Sequence, residues 1–168
     1  MTADILSAHL PGDRVRPLLE AAEDADGIAA FSESFVQGLD DERVRHTHFL
    51  VEDGGDVVAC AGLAEDGSAE LVVHPDFRRK GIGEALARKV RAESPDAGLW
   101  AHGNLAGAKA LAAKLGLSVS RELLVMGISA DDIPSGGPEL PGGFEALDYV
   151  GAVERWGCLL YTSDAADE

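Results

Sequence analysis

One stretch constrains this chain more than any other. Residues 69–90, "AELVVHPDFRRKGIGEALARKV", run from an apolar segment through three adjacent cations and two glycines into an amphipathic pattern. The apolar segment reads as a strand. Ile82, Ala85, Leu86 and Val90 then fall on one face of a helix. The first turn of such a helix offers unpaired N–H groups and the positive end of its dipole, and anions bind there. Gly81 and Gly83 let the main chain close on phosphate oxygens, and Arg78, Arg79 and Lys80 supply positive charge. A Walker loop is excluded, because no Gly-Lys-Ser/Thr follows. A Rossmann fingerprint is disfavoured, because the third glycine is missing and no βαβ unit opens with the motif. What remains is Arg-x-x-Gly-x-Gly. From these six residues alone, a phosphate cradle and a solvated basic helix start fit equally well.

The charge balance sharpens that question. The chain has 30 acidic residues against 14 basic ones, a formal net charge of −16, so nucleic acids and anionic membranes would be repelled. A cationic turn on so acidic a protein is a local device. At 168 residues with 46% hydrophobic content, the chain suits one ordinary domain plus a remainder. It has no apolar run of the roughly 20 residues that a membrane span needs, and no basic-then-apolar leader. Cytoplasm is the expected location. Cys60 and Cys158 give neither a disulfide framework nor a metal-ligand spacing, so no metal is expected, and Cys60 reads as a small buried hydrophobe.

Along the chain, no internal repeat is found. "RVRPLLEAAEDA" (14–25) places Val15, Leu18, Leu19 and Ala22 at helical spacing, and a shorter helix is predicted over 31–39. Strands are predicted over 46–53 and 56–63, joined as a hairpin by "DGG", and over 69–74. After the helix that Pro95 stops come a short strand (98–102) and a helix striped by Leu105, Ala108, Leu111, Ala112 and Leu115 and closed by Gly116. A last strand is predicted over 122–128. The order predicts an α/β fold: a mixed central sheet, antiparallel early and crossing over later, flanked by helices. Residues 131–143, rich in Pro, Gly and Asp, read as a linker, and 144–157 as the start of a second domain. The tail "CLLYTSDAADE" (158–168) back-translates, with one choice of codons, to a sequencing-library adapter, and is expected to be non-native.

In this context the strand, loop and helix resemble the acetyl-CoA loop of the GNAT acetyltransferases, and the element order from 14 to 128 is similar to theirs. More narrowly, "AELVVHPDFRRKGIGEALAR", "WAHGNLAGAKALAAKLGL" and "RELLVM" resemble the N-terminal half of the mycothiol synthase family, over about residues 11–156. Members of that family carry two tandem GNAT domains joined by a linker. The resemblance therefore implies the GNAT (acyl-CoA N-acyltransferase) fold over residues 1–130 and a C-terminal GNAT domain beyond this sequence. It implies acetyl-CoA as co-substrate and a small-molecule amine, the cysteine amine of cysteinyl-glucosaminyl-inositol, as acceptor.

The resemblance also implies roles for residues. Leu71, Val72 and Val73 would offer free backbone groups to the pantetheine arm, as an added strand would. The amides of Arg79, Lys80, Gly81, Ile82 and Gly83 would take the diphosphate, and Arg78 would structure the loop edge or meet a phosphate. Glu33 matches a family glutamate facing the sugar–inositol acceptor. A solvated helix carboxylate is the competing reading of Glu33. Glu70 stands where a base is often found, although an exposed carboxylate at a strand start is the plainer reading. His74 and His102 receive no role, and Trp100 and Trp156 read as core or interface residues. The tyrosine acid of such enzymes lies four residues before the glycine that ends the second helix of the motif. Here that position is Ala112, which has no hydroxyl. No catalytic residue is assigned in this half. The competing readings are a transferase, a domain that holds acetyl-CoA without turning it over, and a purely structural half.

Overall fold

The computed structural model describes residues 4–124, with Gly127, Ser129 and Gly142. Five strands form one sheet in chain order: β1 (Ile5–Ala8), β2 (Thr47–Asp53), β3 (Asp56–Leu63), β4 (Ser68–Val73) and β5 (Gly98–Leu99). The first four pair antiparallel, and β4 pairs with β5 in parallel. Four helices accompany them: α1 (Gly12–Asp26), α2 (Glu33–Gly38), α3 (Ile82–Glu93) and α4 (Ala106–Leu115).

The sheet separates two apolar layers, as the alternation along β2 dictates. Leu50 packs with Val15, Leu18 and Ala22 of α1 and with Phe31 and Phe35. Its neighbours Phe49 and Val51 point the other way, toward Ile82, Leu86 and Val90 of α3. The β2–β3 hairpin turns at Gly54 and Gly55, whose φ angles of 63° and 101° suit the tight turn that matches strand twist. A register shift between Val51 and Glu52 kinks this hairpin. Among the described residues, no helix is long and apolar enough to cross a membrane.

The mixed sheet is as expected, with four local differences. β1 was not anticipated; it is a four-residue edge strand whose Leu6 is 47% exposed, so its pattern carries little alternation. In α3 the fully buried alanine is Ala87, while Ala85 is half-buried. β5 is only two residues long. Of the strand expected over 122–128, Glu122, Leu123, Leu124 and Gly127 are described and are not in a strand. Leu123 and Leu124 are 64% and 73% exposed. The stripe of α4 falls where the spacing put it, but Leu105, Ala108, Leu111, Ala112 and Leu115 are all half-buried and none is enclosed. The expected linker and second-domain start, like the tail, lie outside the described residues except for Gly142.

Candidate functional site

The site begins where two parallel strands part. β4 and β5 pair over only two residue positions, Ser68 with Gly98 and Ala69 with Leu99; at the ends of this short ladder Gly98 N–H donates to Gly67 O (3.0 Å) and Trp100 N–H to Ala69 O (2.9 Å). Beyond this fork, among the described residues, β4 has a neighbour only on its β3 side. Pairing parity then decides which groups are free. His74 N–H donates to Val58 O and Ala64 N–H to Ser68 O, so the even-numbered residues of β4 bond toward β3. The backbones of Leu71 and Val73 face the opening. Val72 does not share it: it sits opposite Cys60, its backbone turned to β3 and its side chain buried. Of the three residues expected to offer free backbone, two do.

At the far end of β4, a single 3-10 turn (Pro75–Phe77) leads to the loop. His74 serves that turn structurally, its Nδ1 accepting from Asp76 N–H at 3.3 Å. Arg79 and Gly81 both adopt left-handed backbone, with φ of 64° and 86°, and Ile82 opens α3. Alternation of this kind gathers successive amides into a concave nest. Among the described residues, no protein acceptor takes the N–H groups of residues 79–83. A Cβ built on Gly81 would meet nothing within 4 Å, so the approach to those amides is open. One built on Gly83 would stand 3.5 Å from Val73 and 3.8 Å from Leu111, so Gly83 borders the floor between β4 and α4. Ile82 contributes its amide only, because its side chain is in the core.

The three cations divide their work. Arg78 is engaged by the protein itself. Its NH1 and NH2 donate to Asp26 Oδ1 and Oδ2 at 2.7 and 2.8 Å, and its Nε donates to Val73 O at 3.0 Å. A guanidinium fork matched to a carboxylate is a bidentate pair, and with the Val73 bond it engages all three guanidinium nitrogens. Of the two roles considered for Arg78, structuring the loop edge is the one these contacts serve. Lys80 lies over the Phe77 ring, Nζ 4.5 Å from the centroid, and Arg79 is exposed.

At the fork, the reading of Glu70 as an exposed carboxylate is overturned: it is 3% exposed. It lies opposite Gly62, which in turn lies opposite His48, on the face that α2 covers. Burial of a carboxylate requires partners. Oε2 accepts from Ser32 N–H at 2.8 Å, and Oε1 stands 3.0 Å from His102 Nε2. The second contact is off the line of an N–H bond, so it is a close polar approach rather than a hydrogen bond. Ser32 belongs to the segment joining α1 to α2. That segment is held at Asp26 by Arg78, at Ser32 by Glu70, and between them at Ile28, whose carbons lie 3.1 Å from where a Cβ on Gly103 would be. It thus straps the fork from β4 across to the residues after β5. Glu33 follows Ser32, is exposed, and among the described residues makes no ion pair. Trp100 is 37% exposed beside the fork.

Two histidines, His46 just before β2 and His48 within it, were not singled out from sequence. His46 stacks on Phe35 with 4.5 Å between centroids, and His48 is fully buried next to it. Neither His46 Nδ1 nor His48 Nε2 has a hydrogen-bond partner among the described residues. Burial lowers both, His48 to about 4, with repulsion from His46 adding to the effect. Nothing in "HTHFL" separates a buried histidine from an exposed one, because alternation marks a face and not its depth.

The acetyltransferase (GNAT) domain family matches residues 45–116. A mycothiol acetyltransferase of Corynebacterium aurimucosum is 44% identical over 147 residues, which is 86% of this chain and 47% of that relative. One from Mycolicibacterium smegmatis is 43% identical over 134 residues, 76% of this chain and 44% of that relative. The chain thus spans about half the length of the curated relatives it matches. Among solved structures, a ribosomal-protein-alanine N-acetyltransferase of Brucella melitensis superposes with a TM-score of 0.53 at 20% identity, covering 76% of this chain and all (100%) of that one. An aminoglycoside N-acetyltransferase solved in complex with CoA gives 0.51 at 16% identity, covering 75% of this chain and 99% of that one. These likenesses establish the fold.

Proposed function

This chain carries a GNAT acetyltransferase domain, and from that premise we propose that it holds acetyl-CoA for an N-acetyltransferase acting on the cysteine amine of cysteinyl-glucosaminyl-inositol. The observation that carries the reading is a row of free main-chain groups in two parts, separated by the engaged turn from His74 to Arg78. It runs from Leu71 N–H and C=O through Val73 N–H to the open amides of residues 79–83. An extended amide-bearing arm would pair with the first part as an added strand, and a diphosphate would meet the second. Arg79 and Lys80 would offset its charge. That the relatives are mycothiol acetyltransferases supports an acceptor belonging to mycothiol chemistry.

Transfer requires a neutral amine to attack the thioester carbonyl. The C–S bond then breaks with its electron pair on sulfur, and the amine proton must find a base. In this domain the nearest carboxylate of β4, Glu70, already has both oxygens engaged by Ser32 and His102. Ala112 supplies no acid for the departing thiolate. We therefore place the transfer chemistry in a second GNAT domain of a longer protein, with Glu33 on the exposed rim toward the acceptor. The proposed setting is the cytoplasm, where a thiol such as Cys60 stays reduced. The second reading, an acetyl-CoA-binding domain without turnover, is favoured for this half by Ala112.

Calorimetry with acetyl-CoA on the 168-residue chain tests the first part. Binding is expected, and Gly81→Trp should abolish it by filling the open approach; unchanged affinity in that variant would remove the loop assignment. Incubation with the cysteinyl acceptor, read by mass spectrometry, should show little N-acetyl product from this chain alone. Brisk turnover would move the chemistry into this domain.

A further inference from the structure

We propose that Asp26 is the positioning residue of the diphosphate loop, acting through Arg78. The inference rests on the cofactor reading above and assigns the loop's shape to a side chain 52 residues away in sequence.

The loop needs outside support. Arg79 holds φ at 64° without being glycine, which costs on the order of 1 kcal/mol. Such a conformation persists only where its surroundings over-determine it. The residue just before it provides the hold. Arg78 is fixed at three points, by two bonds to Asp26 and one to Val73 O. Asp26 is itself well placed to be rigid: it ends α1, is followed by the left-handed cap Gly27, and its side chain is 18% exposed. Arg78 thus joins three elements, the end of α1, the end of β4 and the start of the nest. It also takes one lone pair of the Val73 carbonyl, so Val73 N–H and the two groups of Leu71 are the groups left wholly free for an incoming arm.

Charge and geometry make opposite predictions for Asp26. By charge alone, a carboxylate near a diphosphate site repels the ligand, and its removal would free Arg78 as a third cation. Affinity would then rise. By geometry, removal releases the clamp, Arg79 relaxes, and the amides lose their preorganised arrangement. Affinity then falls. The geometric effect is expected to win, because donors that must first be ordered lose more than one screened surface charge restores.

The test is calorimetry of the 168-residue chain with coenzyme A and, separately, with pantetheine, which lacks the diphosphate. Asp26→Ala is expected to weaken coenzyme A about tenfold while leaving pantetheine within twofold. Asp26→Asn, nearly isosteric, should fall between, and it carries the test if the alanine variant melts. Equal or tighter coenzyme A binding in the variants overturns the inference, as does an equal loss for both ligands. If the wild-type chain binds pantetheine but gains nothing from the diphosphate, the loop reading fails and this inference with it.

Discussion

Glu70 and His102 meet at the fork of β4 and β5, Oε1 to Nε2 at 3.0 Å, with Glu70 almost wholly enclosed and His102 still reaching the surface. The pair is a joint between strands that have just stopped pairing. Its third member, Ser32 N–H, brings in the start of α2. Where the sheet's own bonds end, a buried side chain takes over the connection.

Glu70→Ala should therefore destabilise the domain. Ser32 N–H would lose a charged acceptor in a covered place, a loss of about 1–3 kcal/mol. Urea titration followed by circular dichroism measures it. Glu70→Gln keeps an acceptor for Ser32 and should cost less. A Glu70→Ala variant as stable as the wild type would show that the joint contributes nothing.

Acid should weaken the fold through His48. Its folded value, about 4, lies below the ordinary 6.5, chiefly because of burial. Above pH 6.5 both folded and unfolded chains hold it neutral, and it adds nothing. Between 6.5 and about 4 the unfolded chain takes up a proton that the folded chain refuses. Stability then falls as pH falls, by up to ~3 kcal/mol once the folded value is passed. His46 acts in the same direction. Urea midpoints between pH 7.5 and 5 should decline, and His48→Leu should flatten that decline. An equal slope in the variant would exclude His48 as its source.

Cys60 should resist thiol reagents. It is fully buried in β3, and burial pushes its thiol up to about 12, so the reactive thiolate is scarce. Peptide-resolved mass spectrometry after labelling at pH 8 should find Cys60 unmodified in the native chain and modified in urea. Rapid native labelling would mean that the sheet opens locally.

The loop could be read because it is local. A strand, two glycines and a helix start within fifteen residues are enough to state what the main chain from Arg78 to Gly83 can do. Helix faces in α1 and α4 followed from spacing for the same reason: periodicity is a property of neighbours. The hairpin at Gly54 and Gly55 was equally legible.

What separated Leu71 and Val73 from Val72 was not in their residue types. It was pairing parity, set by which strand lies on which side. The partner of Arg78 lies 52 positions earlier, in a helix chosen by its own periodicity, and nothing in the cation's neighbourhood names it. Glu70 looked exposed because charge is the only property a single residue displays. Its burial came from α2, Gly62 and His102 converging from three parts of the chain. The sequence alone thus determined which backbone could cradle an anion. Tertiary structure decided which charges remain to serve it, because a charge is free or engaged only according to what folding brings beside it.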